Sequence, residues 1–335
     1  MPDLNADKST ITQRIQNLTP EKRQLLERLL HKQHGDPTHR ASSFVMALQP
    51  SGSQPPLFLL PPIMGTIFPY YPLAHLLGTS HPLYGVLPLG IDGEAAPHTR
   101  IEDMAAHAIA AMRTLQPEGP YFLGGYSFGG LVAFEIARQL QDAQQHVELL
   151  ALFDAWSPCA MPTSRLVETW WVGLEVGLGI WSYIYDYMAL LLTSTFRQRP
   201  PATTWQPRTW KQLRHMWPFS TQRRSVDMAD AQPGIFKSLA AQVPALLPMF
   251  RIFIANLRAL QHYMPQPYPH RITLFRTQSQ LTRLHREPAQ GWQQLTSDNV
   301  EVHWVEGKHL TMLRAAHARS LAEKLGACLQ KTTLS

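Results

Sequence analysis

Apolar positions along the chain follow two patterns, and the change between them marks its organisation. In residues 20–33, Leu25, Leu26, Leu29 and Leu30 recur at helical spacing among Glu21 and Glu27. Thr19 is placed to cap that helix and Pro20 suits its first position. Residues 34–56 are punctuated by Gly35, Pro37, Pro50, Gly52, Pro55 and Pro56 and read mostly as a linker, with one short apolar run at 44–48 that predicts an edge strand. From residue 57 onward, short apolar runs alternate with helical stretches. Strands are predicted at 57–60, 83–87, 121–125, 149–153, 272–275 and 300–305, and helices near 70–77, 101–115, 131–140 and 315–329. That alternation predicts an α/β fold, a mostly parallel sheet covered by helices. The chain thus divides into an N-terminal helix and linker (1–56) and a main domain (57–335).

The interval 155–268 breaks the rhythm. It is helical in character and holds seven of the nine tryptophans: Trp156, Trp170, Trp171, Trp181, Trp205, Trp210 and Trp217. It reads as a helical insertion over the sheet. Within it, residues 166–192 are apolar enough to suggest a membrane span, yet they carry Glu168, Glu175 and Asp186. A charge near a bilayer centre costs roughly 2.5–3.5 kcal/mol on insertion scales, so a buried or partner-facing helix is the better expectation.

Composition narrows the class. The chain has 335 residues, 44% hydrophobic and 16% charged, which excludes wholesale disorder. Its two cysteines, Cys159 and Cys328, form no Cys-x-x-Cys pair, so neither a disulfide framework nor a structural zinc site is expected. Residues 1–7 lack a signal-peptide pattern, and the expected compartment is the cytoplasm. The net charge of +6 is uneven. Residues 196–225 hold Arg197, Arg199, Arg208, Lys211, Arg214, Arg223 and Arg224 and no acid, a docking patch for an acidic partner or a solvated loop. No recognisable nucleic-acid module accompanies these charges, so nucleic acid is not the expected partner.

The sharpest chemical signal is Gly125-Tyr126-Ser127-Phe128-Gly129. An apolar strand precedes it and a helical run, beginning at Leu131, follows. This is Gly-x-Ser-x-Gly between strand and helix, where a tight turn pushes the serine hydroxyl out at the helix N-terminus. Serine needs a base to become a nucleophile, and the base needs an orienting acid, in the chain order Ser, Asp or Glu, His. Asp154 ends the next strand, and a right-handed crossover brings it beside Ser127. Among 15 histidines, His309 follows the last strand and the turn Glu306-Gly307-Lys308. His303 lies within that strand and His317 on the helix, which favours His309 as base. An oxyanion hole needs backbone N–H groups, one from Phe128 and one from the loop Pro61-Pro62-Ile63-Met64-Gly65. The prolines have no N–H, so Ile63 is the first donor available and Met64 the next.

These residues resemble the thioesterase domains of nonribosomal peptide and polyketide synthetases, members of the α/β-hydrolase family. The resemblance spans roughly 57–329. It rests on Leu60-Pro61-Pro62-Ile63-Met64-Gly65, the elbow from Gly124 to Gly130, Leu152-Phe153-Asp154, and the run from Gly307 to Leu313. Residues 256–268, Thr273-Leu274-Phe275-Arg276 and Gly291-Trp292 with Leu295 also look like the family. It implies that the serine takes an acyl, peptidyl or polyketide chain from the phosphopantetheine of a carrier protein, and that water or an internal nucleophile then releases it. It implies a role in secondary metabolite biosynthesis, a lid function for the insertion, no cofactor or metal of the chain's own, and a carrier supplied in trans or within a larger assembly. The N-terminal helix looks like segments that flank domains in such synthetases.

Two other functions share these residues. A carboxylesterase or lipase would use the same serine, acid and histidine on oxygen esters. A binding protein on a hydrolase scaffold would not need the set intact. The insertion is expected to bind the acyl chain, with Trp170, Trp171 and Trp181 as candidates.

The basic segment yields a test. Carrier domains of this kind are expected, by the resemblance, to be acidic around the phosphopantetheine, and seven positive charges would speed encounter within a Debye length of ~8–10 Å. Reversing Arg208, Lys211 and Arg214 to Glu should slow turnover of carrier-bound substrate and spare a free pantetheine thioester. Equal loss on both would indicate a disturbed insertion, and no loss on either a solvated loop.

Overall fold

A computed structural model describes residues 43–160, 231–277, 288, 289 and 291–332. The helix at 20–33, the stretch 166–192 with Trp170, Trp171 and Trp181, and the basic segment 196–225 lie outside the described residues. Seven strands form the sheet: β1 (Val45–Gln49), β2 (Leu57–Leu60), β3 (Leu83–Val86), β4 (Tyr121–Tyr126), β5 (Val147–Phe153), β6 (Ile272–Thr277) and β7 (Val300–Val305). Their spatial order is β1-β3-β2-β4-β5-β6-β7. All neighbours are parallel except β1, which runs antiparallel to β3 at one edge. That edge strand comes from the stretch read mostly as linker, where the run 44–48 predicts it, so the sheet begins before residue 57.

Every residue of β2, β4 and β6 is buried. Continuous apolar runs are what a parallel sheet with both faces covered requires. Four helices cover it: α1 (Tyr71–Leu76), α2 (Ile101–Met112), α3 (Phe128–Asp142) and, after β7, a last helix (Ala318–Thr332). Helices α2 and α3 pack together, as do α1 and the last helix. Right-handed crossovers put these pairs on opposite faces. A further helix, α4 (Ala231–His262), falls inside the interval read as an insertion and returns the chain to β6; the final helix is therefore α5. On α4, Ile252, Ala255, Asn256 and Ala259 are buried at helical spacing, a stripe that faces the domain. Among the described residues no helix is long and apolar enough to cross a membrane.

One buried charge ties these layers. Glu135 on α3 is 1% exposed. Arg138, one turn on, donates from Nε to Oε2 (2.9 Å) and from Nη2 to Oε1 (2.7 Å). Gln139 Nε2 donates to Oε1 (2.9 Å) and Tyr263 Oη, just past α4, to Oε2 (3.0 Å). Each carboxylate oxygen thus has two donors, which offsets the desolvation of the charge. Arg138→Met should destabilise the domain by about 3 kcal/mol, because Glu135 keeps its charge and loses its cation. Adding Glu135→Leu should recover part of that loss. Urea unfolding of both variants tests this; a double variant no more stable than Arg138→Met would show that the charge is not the cause.

Candidate active site

Strand register assembles the site. Leu60 of β2 lies opposite Gly125 of β4, Tyr126 opposite Phe153 of β5, and Phe153 opposite Phe275 of β6. The residues that follow β2, β4 and β5 therefore leave the sheet at one end, its carboxyl edge, where open parallel sheets bind ligands. The first residue after β4 is Ser127 and the first after β5 is Asp154. Thr277 and Val305, the last residues of β6 and β7, are paired, so the loop carrying His309 opens onto the same edge.

The turn at Ser127 is sharp. Its φ is 55° and ψ −122°, a conformation that side chains rarely adopt. Its N–H donates to the Phe153 carbonyl (2.9 Å), and its own carbonyl accepts from Gly130 N–H (2.9 Å). The elbow closes only because its flanks are bare. A Cβ on Gly125 would lie 2.1 Å from the Gly129 carbonyl oxygen, one on Gly129 2.2 Å from the Leu60 oxygen, and one on Gly130 2.3 Å from Ala155 Cβ.

The three predicted side chains meet. His309 Nε2 is 3.1 Å from Ser127 Oγ, and His309 Nδ1 is 2.9 Å from Asp154 Oδ2. Asp154 is buried and also takes Thr277 N–H on Oδ1 (3.2 Å) and Thr277 Oγ1–H on Oδ2 (3.0 Å). Burial pushes its pKa up, but hydrogen bonds and charge from His309 and the Thr277 bonds outweigh it and hold the carboxyl below its ordinary value. An ionised Asp154 fixes the tautomer with hydrogen on Nδ1, leaving Nε2 to accept from serine. The imidazole lies beside the Tyr126 and Trp156 rings, with centroids 5.2 and 6.0 Å away. Tyr126 Oη donates to the His309 carbonyl, tethering the loop to the strand that carries the elbow.

Several supports have roles that the sequence does not disclose, although Trp292 is among the stretches carrying the resemblance. Tyr70 is wholly buried; its Oη donates to the Leu60 carbonyl (2.6 Å) and accepts from Tyr126 N–H (2.8 Å), joining the ends of β2 and β4. Burial drives its pKa far up, so the phenol keeps the proton it donates. Trp292 Nε1 donates to the Ala155 carbonyl (2.8 Å) and secures the turn after Asp154. Thr277 could have been sought as the residue ending a strand beside the one that ends in Asp154, had the register been known. The sequence patterns give no such hint for Tyr70.

Of the expected oxyanion donors, Phe128 follows Ser127 in the elbow, and Ile63 lies in the loop after β2, three residues past Leu60, whose carbonyl oxygen a Cβ on Gly129 would meet. Among the described residues, neither N–H gives a hydrogen bond. Phe128 opens α3, where the first N–H groups have no partner within the helix. A cleft of about 480 Å³, open solvent included, borders Phe128 and is lined largely by apolar groups including Pro61, Leu87 and Val132. His107 contributes to its wall. Burial, with His98 nearby, pushes the His107 pKa down to about 4, so the ring is neutral near pH 7. Among the described residues, no cluster of three or more His, Cys, Asp or Glu side chains could hold a metal ion.

Residues 55–165 match the family model described as Thioesterase domain. The chain is 27% identical over 296 residues to the nonribosomal peptide synthetase atqA of Aspergillus terreus, covering 86% of this chain and 29% of that protein. It is 41% identical over 123 residues to a dimodular nonribosomal peptide synthase of Bacillus subtilis, covering 36% of this chain and 5% of that one. The chain thus spans less than a third of the length of these curated relatives. Among solved structures, the NocB thioesterase domain, in covalent complex with a fluorophosphonate nocardicin G analog, superposes with a TM-score of 0.56 at 22% identity, over 85% of this chain and 99% of that domain. The fold is that of thioesterase domains of the α/β-hydrolase type.

The Asp154 carboxyl makes a pH signature. Its folded pKa lies below the unfolded value of about 3.9. The carboxylate therefore stabilises the fold above that value, and the contribution disappears as pH falls through the folded pKa. Asp154→Asn should flatten the acid side of a plot of Tm against pH. Parallel curves for the two proteins would refute the assignment.

Proposed function

We propose that this chain is a thioesterase that releases an acyl, peptidyl or polyketide chain from the phosphopantetheine thiol of a carrier protein through an acyl-enzyme on Ser127. The observation that carries the proposal is the continuous hydrogen-bonded chain from Ser127 Oγ through His309 to Asp154. The Thioesterase domain match supports the thioester as substrate, because a serine, histidine and aspartate alone do not choose between thioesters and oxygen esters. The nonribosomal peptide synthetase relatives support a carrier partner, in trans or within a larger assembly.

In this mechanism His309 Nε2 takes the Ser127 proton as Oγ bonds to the thioester carbonyl carbon. The Ile63 and Phe128 N–H groups receive the oxygen as it becomes anionic. Asp154 stays ionised and stabilises the imidazolium. The C–S bond then breaks, and Nε2 passes its proton to the departing thiolate. Water, or a nucleophile within the acyl chain, next gives its proton to Nε2 and attacks the ester. The Oγ–C bond breaks and Ser127 recovers a proton, giving a free acid or a ring. The mostly apolar cleft beside Phe128 suits an apolar part of the chain.

Ser127→Ala should lower turnover of acyl-pantetheine thioesters by ~10⁴–10⁶ and abolish labelling by a fluorophosphonate, with Tm retained. Persistent labelling would place the nucleophile elsewhere. A wild-type protein faster on simple oxygen esters than on acyl-pantetheine would make it a carboxylesterase.

A further inference from the structure

The oxyanion loop is held at two points, and only one belongs to the loop. The Pro62 carbonyl accepts the Gly65 N–H at 2.8 Å, a tight turn that Gly65 completes at φ 75°. In a trans peptide the N–H points away from the C=O, so this bond orients the Ile63 N–H. The next peptide plane is set from outside. Asn256 Nδ2, on α4, donates to the Ile63 carbonyl at 2.8 Å, which orients the Met64 N–H in the same way. Asn256 is 4% exposed, and neighbouring Ile252 is fully buried. Ile252 fills the space where Gly65 has no side chain: a Cβ there would lie 2.6 Å from Ile252 Cγ2. One face of α4 therefore holds the loop at two points, the carbonyl of Ile63 and the bare flank of Gly65.

We propose that Asn256 is a positioning residue for the oxyanion loop: by holding the Ile63 carbonyl it restrains the rotation of Ile63 itself, and so keeps the Ile63 N–H, in the adjoining peptide plane, directed toward Ser127. The chemistry explains why an amide serves here. The partner is a carbonyl, which needs a donor, and the buried position disfavours Lys or Arg, whose charge would be left unpaired. Without the bond, the Ile63–Met64 peptide loses the one side-chain anchor it has among the described residues and can rotate about the bonds flanking it. A donor that must be preorganised is then oriented only when the reaction has already begun, which weakens its effect on the transition state more than on substrate binding. Since α4 lies within the interval that interrupts the α/β pattern, the same contact ties that insertion to the chemical step.

The inference rests on Ser127 being a nucleophile that faces this loop, and the test separates it from the thioesterase reading. Asn256→Leu keeps the volume and removes the donor; Asn256→Ala removes the donor without adding bulk, should the leucine disturb folding. Both are compared with wild type in the rate of phosphonylation by a fluorophosphonate, in kcat and KM on an acyl-pantetheine thioester, and in affinity for the non-hydrolysable thioether analogue. Melting by circular dichroism identifies the folded variants. Phosphonylation and kcat should fall about 10- to 100-fold, with thioether affinity and KM changing less than about twofold. A folded variant that labels at the wild-type rate overturns the proposal. So does an equal loss in labelling rate and thioether affinity, the mark of a generally disturbed pocket. If wild type labels but turns over no acyl-pantetheine, the thioesterase reading falls, and the labelling comparison still decides the role of Asn256.

Discussion

An ionised carboxylate buried at the end of a central strand is stable only while its oxygens are occupied by donors. Asp154 meets that condition with groups from two other segments: the Thr277 N–H and hydroxyl, and His309 Nδ1. Its backbone is committed as well, with φ at 46° and its N–H on the Phe275 carbonyl. The side chain leaves the β5 ladder because the backbone turns there, and it stays ionised because β6 and the loop after β7 close around it. The same bonds fix the imidazole, so the geometry at Ser127 is set from the far end of the hydrogen-bonded chain.

The strain at Ser127 has a similar logic. A non-glycine residue at φ 55° and ψ −122° costs of order 1–3 kcal/mol and survives only where its surroundings leave no alternative. Here the surroundings are backbone: the Phe153 carbonyl holds the Ser127 N–H, and the bare flanks of Gly125 and Gly129 let α3 close onto β2 and β4. Tyr70 fastens those two strands to one another at the same level, with a single hydroxyl serving one carbonyl and one N–H.

What the sequence disclosed follows from where the information lies. Short apolar runs such as Leu57–Leu60 and Tyr121–Tyr126 announce buried parallel strands, and the elbow announces itself through residues adjacent in the chain. Asp154 and His309 were legible because chain order and strand ends constrain them. The run at 44–48 was legible as an edge strand, but its antiparallel pairing with β3 depends on a partner chosen in three dimensions. Tyr70, Thr277 and Asn256 act through single contacts with distant segments, and Asn256 meets Ile63 across 193 positions. A tyrosine in a short helix or an asparagine in a long one is ordinary locally; only packing gives either its partner.

Ser127 and His309 lie 182 positions apart, with His309 in the loop that follows β7. A ribosome delivers these parts in order, and domains tend to fold as units. The elbow, with its strained serine, is therefore synthesised long before the imidazole it meets, and the hydrogen-bonded chain from Ser127 to Asp154 is complete only when β7 and the loop beyond it have emerged. That arrangement is thus acquired late, as a property of the finished sheet rather than of the serine.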